Sequence, residues 1–456
     1  MAKGKGKTRA LLVTAGILAV LALAVLALVL FVDIGRYRPR LETEASRILG
    51  MDVQIRGEMK IEYFPPFWVS LADIHVARRG GNVVRVERMR TGLRILPLLW
   101  SRVRFRAVEL LHPELSIQRT GSGPFDFERY LSRPFRIARE ALPGTFDRID
   151  RLSVSGGRVS YTSKDSAIRA DVEGLDLTIR DISFREPPGE DLFLTVSFSG
   201  TGRAARTAVG TWEASALAWE MTAKNGNYEI GPITLQAFGG TGEGSVWINI
   251  SVLTPLVHIR FSQTGSDIEQ LFTAAGGKRG LLTGKADLSF NLFMKGKDPD
   301  ALVGTMTGDL SWKGNDLKVP DFDPDAPLSA IREGESAPLA RTGALLLPGP
   351  LFTAAAEGLL GPDTKVEKEG EEGLVRTLAS YWTVKDGMFE AEDVALATKG
   401  HRVALTGRID LSGGQFDNIA VALVDDRGCA RAGQTIQGTF RLPQFAETIP
   451  AKGKEP

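Results

Sequence analysis

Apolar and polar residues alternate with a period of two along much of this chain, and that pattern excludes most architectures. Leu175, Leu177 and Ile179 share a phase, as do Leu192, Leu194, Val196 and Phe198. The same holds for Ala286, Leu288, Phe290, Leu292 and Met294, for Val403, Leu405, Ile409 and Leu411, and for Ile419, Val421 and Leu423. Successive side chains on a strand point to opposite faces, so each run supplies one apolar and one largely polar face. The chain's Gly 50 suits many turns between short strands and disfavours a helical bundle. The expectation is a mainly β protein of antiparallel strands with a few short helices.

A short echo supports this. Leu282–Ser289 reads LTGKADLS and Leu405–Ser412 reads LTGRIDLS, with Met306–Ser311, MTGDLS, as a looser copy. Glycine before each run is expected to give a turn or bulge where the alternation begins. No strict period of about 20–50 residues emerges, so a regular solenoid is not supported. Roughly 20–25 strands are expected, and at about 4.8 Å per strand one sheet reaches at most about 120 Å.

The N-terminus is of another kind. Ala10–Val32 carries no charge. As a helix it rises about 34 Å, enough to cross a hydrocarbon core of about 30 Å. It is too long for the apolar part of a signal peptide, and Asp33–Arg36 makes a poor cleavage site. An uncleaved transmembrane helix is expected, with residues 1–9 a basic cytoplasmic tail and the body on the far side. Arg36–Gly50 then predicts a short helix, with Pro39 in its first turn and Gly50 as its stop.

The rest divides by composition. Residues 36–145 form an N-terminal region of the short helix plus strands, 146–319 a β-rich middle and 374–445 a C-terminal β region. Residues 320–373 hold seven of the 23 prolines and the charged run Lys365–Glu372, and predict a loop or linker. Within them Ala344–Leu360 is apolar but broken by proline. It is expected either to pack over one end of the sheet or to act as a lid or membrane-touching loop. Residues 446–456 predict a disordered tail.

Charge is balanced overall, Lys+Arg 56 against Asp+Glu 55, which gives no general pull toward nucleic acid. Its distribution is uneven: Arg36–Arg106 has 15 basic and 7 acidic residues, whereas Asp316–Asp393 has 7 basic and 16 acidic. Arg85, Arg88, Arg90, Arg94, Arg102, Arg104 and Arg106 are either the solvated face of strands or a headgroup-facing patch beside the anchor.

No catalytic constellation is present. His75, His112, His258 and His401 are scattered, without H-E-x-x-H spacing. Gly284-Lys285 leads into a strand, not a helix, so it is no phosphate loop. Cys429 is the sole cysteine, which excludes an internal disulfide, and it is expected to be a packed small residue. No cofactor, metal site or enzymatic activity is expected.

The order of elements resembles a known family. A basic N-terminus and a span are followed by RYRPRLETEASRILG, FPPFWVSLADIHVARRG and LRILPLLWSRVRFRAVELLHPELSIQR. Pro97-Leu98-Leu99 and His112-Pro113 sit where AsmA-family proteins of the bacterial envelope tend to have such residues. LTGKADLSFNLFMKGKDPDALVGTMTGDLSW, YWTVKDGMFEAEDVALATKGHRVALTGRIDL and DRGCARAGQTIQGTF resemble that family's C-terminal region. The resemblance implies an inner-membrane anchor, a periplasmic β body that is an elongated, curved, antiparallel, groove-like sheet, and an apolar groove for phospholipid in outer-membrane biogenesis. Candidate groove residues are Leu175, Leu177, Ile179, Leu288, Phe290, Leu292, Leu405 and Ile409. Partners implied are phospholipid, the inner membrane and other envelope proteins. A lipid-free scaffold for outer-membrane proteins is the alternative, and an envelope hydrolase a third. Groove and closed sandwich give the same alternation.

Overall fold

Helix α1 (Arg38–Leu49) forms where proline and glycine were expected to bound it. Pro39 lies in its first turn, and Gly50, at φ 65°, donates its N–H to the Ser46 carbonyl at 2.9 Å. Ala45 and Leu49 pack beside Val53, Ile74, Val76 and Val86, a small core at the first edge of the sheet. The computed structural model describes residues 34–62, 67–77, 83–93, 105–119, 148–163, 169–184, 192–274, 282–320, 323–332, 339–347, 373–446 and 449–450. Ala10–Val32 lies outside them, and among the described residues no helix is long and apolar enough to cross a membrane.

Among those residues 21 strands join one sheet. They are β1 (Asp52–Ile55), β2 (Met59–Glu62), β3 (Phe67–Ala77), β4 (Val83–Leu93), β5 (Phe105–Arg119), β6 (Arg148–Ser163) and β7 (Arg169–Phe184). Next come β8 (Val196–Val209), β9 (Trp212–Lys224), β10 (Asn227–Ala237), β11 (Gly240–Asn249), β12 (Leu256–Asp267), β13 (Lys285–Lys295) and β14 (Thr307–Val319). The last are β15 (Gly373–Lys385), β16 (Met388–Ala397), β17 (Arg402–Asp410), β18 (Gln415–Val424), β19 (Ala430–Thr439), β20 (Pro443–Phe445) and β21 (Ile449–Pro450).

From β3 to β19 each strand pairs with the next in sequence. All these pairs are antiparallel but one, β5 with β6. A parallel pair needs a long crossover, and residues 120–147 supply the chain for it. Strands β1 and β2 share the outer edge of β3, and β20 and β21 share that of β19. These two edges do not pair with each other among the described residues, so the sheet is open. At about 4.8 Å per step, β3 to β19 spans about 77 Å.

Two expectations need correction here. The tail was expected to be disordered, yet Ile449 and Pro450 pair with Gly433 and Ala432. The free edge of β19 offers backbone groups that this short segment satisfies. The stretch 320–373 is not simply a linker, because α5 (Asp325–Arg332), α6 (Ala340–Ala344) and Leu345–Leu347 enter the core. The charged run Lys365–Glu372 lies outside the described residues.

The main core is built on β13–β19 with that segment as its cover. Leu328, Ile331, Leu339, Ala344 and Leu345–Leu347 join Trp312, Leu378, Trp382, Leu405 and Val421 in one buried cluster. Among the short helices α2 (Leu192–Thr195), α3 (Ile268–Ala274) and α4 (Pro299–Gly304), α3 adds Ile268, Leu271 and Phe272 at the margin of this core. Polar bonds pin the cover. The Leu339 N–H donates to Gln434 Oε1 at 2.9 Å, and Ser380 Oγ donates to the Leu346 carbonyl at 2.7 Å. Gly343 allows the closest approach, since a Cβ there would lie 2.5 Å from Val421 Cγ2.

Asp325 ties the start of α5 to the sheet. His401 Nδ1 lies 2.8 Å from its Oδ1, and Thr398 Oγ1 donates to the same oxygen. Burial alone would raise this carboxyl, but the bonds from Thr398 and His401 outweigh it and hold it below its ordinary value. A carboxyl depressed in the folded state stabilises above its unfolded pKa and loses that contribution as pH falls through its folded one. Below about pH 4 the wild type is therefore expected to lose stability more steeply than Asp325→Asn. Thermal melts of both at acid and neutral pH check this, and equal slopes would count against the latch.

Candidate functional site

Following directly paired residues across the sheet reveals one row that stays apolar or glycine over fifteen strands. It runs Met59, Leu71, Met89, Leu110, Val154, Leu177, Gly202 and Trp219. It continues through Ile233, Gly244, Phe261, Phe290, Leu310, Trp382 and Ala391. A second row beside it passes through Val69, Thr91, Val108, Leu152, Ile179, Gly200, Met221 and Ile230. It goes on through Val246, Ile259, Leu292, Gly308, Val384, Phe389, Ile409 and Phe416. Thr91 is its one polar member. Directly opposed residues lie on the same face, so these rows form one continuous apolar face. The other face reads differently: Ser70, Arg90, Glu109, Ser153, Thr178, Thr201 and Glu220.

A seam where the alternation slips hid this continuity from the sequence; the pairing register itself shifts at it between β6 and β7 and between β9 and β10. On β3 the apolar face passes from Leu71 to Ile74, and on β4 from Met89 to Val86; both spacings are odd, yet all four residues adjoin one core. Left-handed residues mark the slip at Asp73 (φ 48°), His112 (φ 45°), Gly156 (φ 62°), Gly174 (φ 62°) and Ala216 (φ 50°). A left-handed residue reverses the alternation along its strand, so a strict period of two fails where the face itself persists. Asp176 braces the seam. It accepts the Gly156 N–H at 2.9 Å and Arg203 Nε at 3.0 Å, and its carboxyl is lowered chiefly by the Gly156 bond.

Glycines on the face make room for rings. A Cβ on Gly202 would stand 2.2 Å from the Trp219 indole, and one on Gly244 3.0 Å from the Phe261 ring. Each aromatic side chain thus lies across the glycine of its neighbouring strand. Gly202→Val is expected to push the Trp219 indole off the sheet and change the near-ultraviolet circular dichroism while the far-ultraviolet strand signal persists. An unchanged near-ultraviolet spectrum would refute that placement.

All eight candidate groove residues fall on this face, but not in one environment. Leu175, Leu177 and Ile179 are half-buried, shielded by their neighbours on the sheet. Leu288, Phe290 and Leu292 are half-buried at the margin of the main core. Leu405 and Ile409 are 3% and 1% exposed. Those two do not line an open groove, because Leu328, Ile331, Leu339 and Ala344–Leu347 join them in one buried cluster. The face is therefore half-buried over β5–β13 and closed over β14–β19. Alternation alone could not show this, since the covering leucines come from a Pro-rich stretch without period.

The basic residues are divided. Arg94, Arg102 and Arg104 lie outside the described residues. Arg85 and Arg90 are ion-paired on the polar side: Arg85 is 3.5 Å from Asp73, and Arg90 is 2.5 Å from Glu62 and 3.2 Å from Glu109. Arg90 also sits 4.9 Å above the Trp68 ring. Arg88 and Arg106 are exposed.

The histidines have structural partners. His75 bonds Asp73, His112 bonds Glu87, His258 bonds Asn291 and His401 bonds Asp325. No group of three metal-ligating side chains occurs among the described residues. Cys429 is exposed and not packed, because it lies in the turn between β18 and β19, where its N–H donates to Asp425 Oδ1 at 2.9 Å. What the arrangement offers is a surface: a long apolar face able to shield hydrocarbon from water.

Comparison with known proteins bears on this surface. Neither a curated protein nor a solved structure matches the chain significantly. Residues 6–217, which take in β1–β8 and the start of β9, do match the AsmA family.

Proposed function

We propose that this is a membrane-anchored protein of the bacterial envelope whose apolar face carries phospholipid acyl chains, in support of outer-membrane biogenesis. The observation that carries the reading is the unbroken apolar row from Met59 to Ala391, set against a polar row on the reverse face. A sheet that needed only a core would have no reason to keep this face apolar over β5–β13, where it is left half-buried. An acyl chain is itself apolar along its length, and a face of this kind binds it without specific polar contacts. The AsmA-family match and an open sheet fit transport in the envelope. The anchor Ala10–Val32 would place the β1 edge at the inner membrane, with the body in the periplasm. A reach of about 77 Å from β3 to β19 suits loading or passing lipid to a partner more than bridging two membranes alone.

The body from Arg36 onward, purified and washed, is expected to retain phospholipid detectable by native mass spectrometry. A folded body that is consistently lipid-free would favour the scaffold for outer-membrane proteins. Turnover of an envelope substrate would favour a hydrolase.

A further inference from the structure

The apolar face ends differently in its two directions. Toward β19 it runs beneath Leu328, Leu339 and Leu345–Leu347, which are 0–5% exposed. Bonds from Ser380, Gln434, Thr398 and His401 hold that cover at both of its ends. A hydrocarbon chain lying on β5–β13 and continuing along the rows meets leucines that already fill the volume. Within the closed part the path has no room.

Sideways, the face stays apolar up to one rim. Across β12 and β13, Phe261 pairs with Phe290, Ile259 with Leu292, and Val257 with Met294. These successive pairs step from the rows toward the turn joining β11 to β12, where Val252 is 42% and Leu253 89% exposed. A single exposed leucine is ordinary on a protein surface. This one stands where an apolar face reaches the rim, immediately before the covered end. We infer that acyl chains join or leave the face laterally, over the β11–β12 turn at Val252 and Leu253, and not past β19. The inference rests on the lipid reading above.

The test places p-benzoylphenylalanine in the membrane-embedded full chain at Phe261, Leu253 or Leu442. Leu442 is 78% exposed and lies beyond β19. After illumination, phospholipid adducts are read by mass spectrometry. Adducts at positions 261 and 253, with none at 442, are the expected result. Adducts at 261 and 442 but not 253, or at 261 alone, overturn the lateral path and leave the lipid reading standing. No adduct at any position overturns the lipid reading itself. An adduct at 253 that persists in the Leu177→Asp chain marks a turn that merely touches bilayer, and also overturns the inference.

A disulfide between Gly343→Cys and Val421→Cys, in a Cys429→Ser background, fixes the cover to the sheet. The adduct at 253 is then expected to be unchanged, and its loss would show that the cover moves and that the path runs beneath it. Leu253→Asp should lower phospholipid transfer between vesicles of phosphatidylethanolamine and phosphatidylglycerol several-fold with no change in melting temperature. Unchanged transfer overturns the proposal.

Discussion

Trp382→Ala is expected to cost about 3–5 kcal/mol of stability, the range for removing a fully buried tryptophan. Trp382 is 0% exposed and pairs with Leu310 on one side and Ala391 on the other, so its ring fills the middle of the closed core. Its loss would do more than leave a cavity. Trp382 Nε1 donates to Ser380 Oγ at 2.7 Å, and that hydroxyl donates to the Leu346 carbonyl at 2.7 Å. The indole thus orients the hydroxyl that holds the cover. Ser380→Ala, which leaves the ring in place, is expected to cost only about 1 kcal/mol. Tyr381→Ala, next in sequence but 38% exposed on the opposite face, should stay within about 0.5 kcal/mol. Urea denaturation of the three variants gives the ranking. Equal losses at positions 381 and 382 would show that the faces are wrongly assigned.

How much of this was legible beforehand depended on whether a feature is local. Helix α1 could be read because Pro39 and Gly50 act on their own neighbours. Strands β13, β17 and β18 could be read because their alternation persists across their apolar runs. The echoed glycines were read only in part. Gly284 precedes β13, but Gly308 and Gly407 lie within β14 and β17 at φ 148° and 117°. A Cβ on Gly407 would meet the Asn418 carbonyl oxygen at 2.3 Å, so this glycine permits a bulge inside the strand and not the turn before it. The seam from Asp73 to Ala216 was invisible because each slip is one residue in one strand. Its meaning lies in the alignment of neighbours. The cover over β14–β19 was legible only as an apolar piece, Ala344–Leu360, able to pack over one end of the sheet; its helices and partners were not, because α6 has five residues and its stabilisation comes from Val421, Trp382 and Gln434, distant in sequence.

That division gives the sharpest functional prediction, a pair of identical substitutions with opposite consequences. Leu177→Asp puts a carboxylate on the half-buried part of the face, where water can reach it. The sheet is expected to fold with a melting temperature near that of the wild type, and phospholipid retention should fall to background. Leu405→Asp puts the same group where the wild-type side chain is 3% exposed, among Val394, Val421 and the covering leucines. An unpaired charge there has no compensating bond, and a loss above about 4 kcal/mol is expected, enough to unfold the C-terminal part. Thr178→Asp, one residue from Leu177 but on the polar row, should alter neither folding nor lipid. Melting curves and lipid mass spectrometry on the three proteins separate the cases. If Leu177→Asp folds normally and still carries phospholipid, the apolar row is not the lipid path. If Leu405→Asp also folds normally and loses lipid, the closed end is open in solution, and the path extends through it.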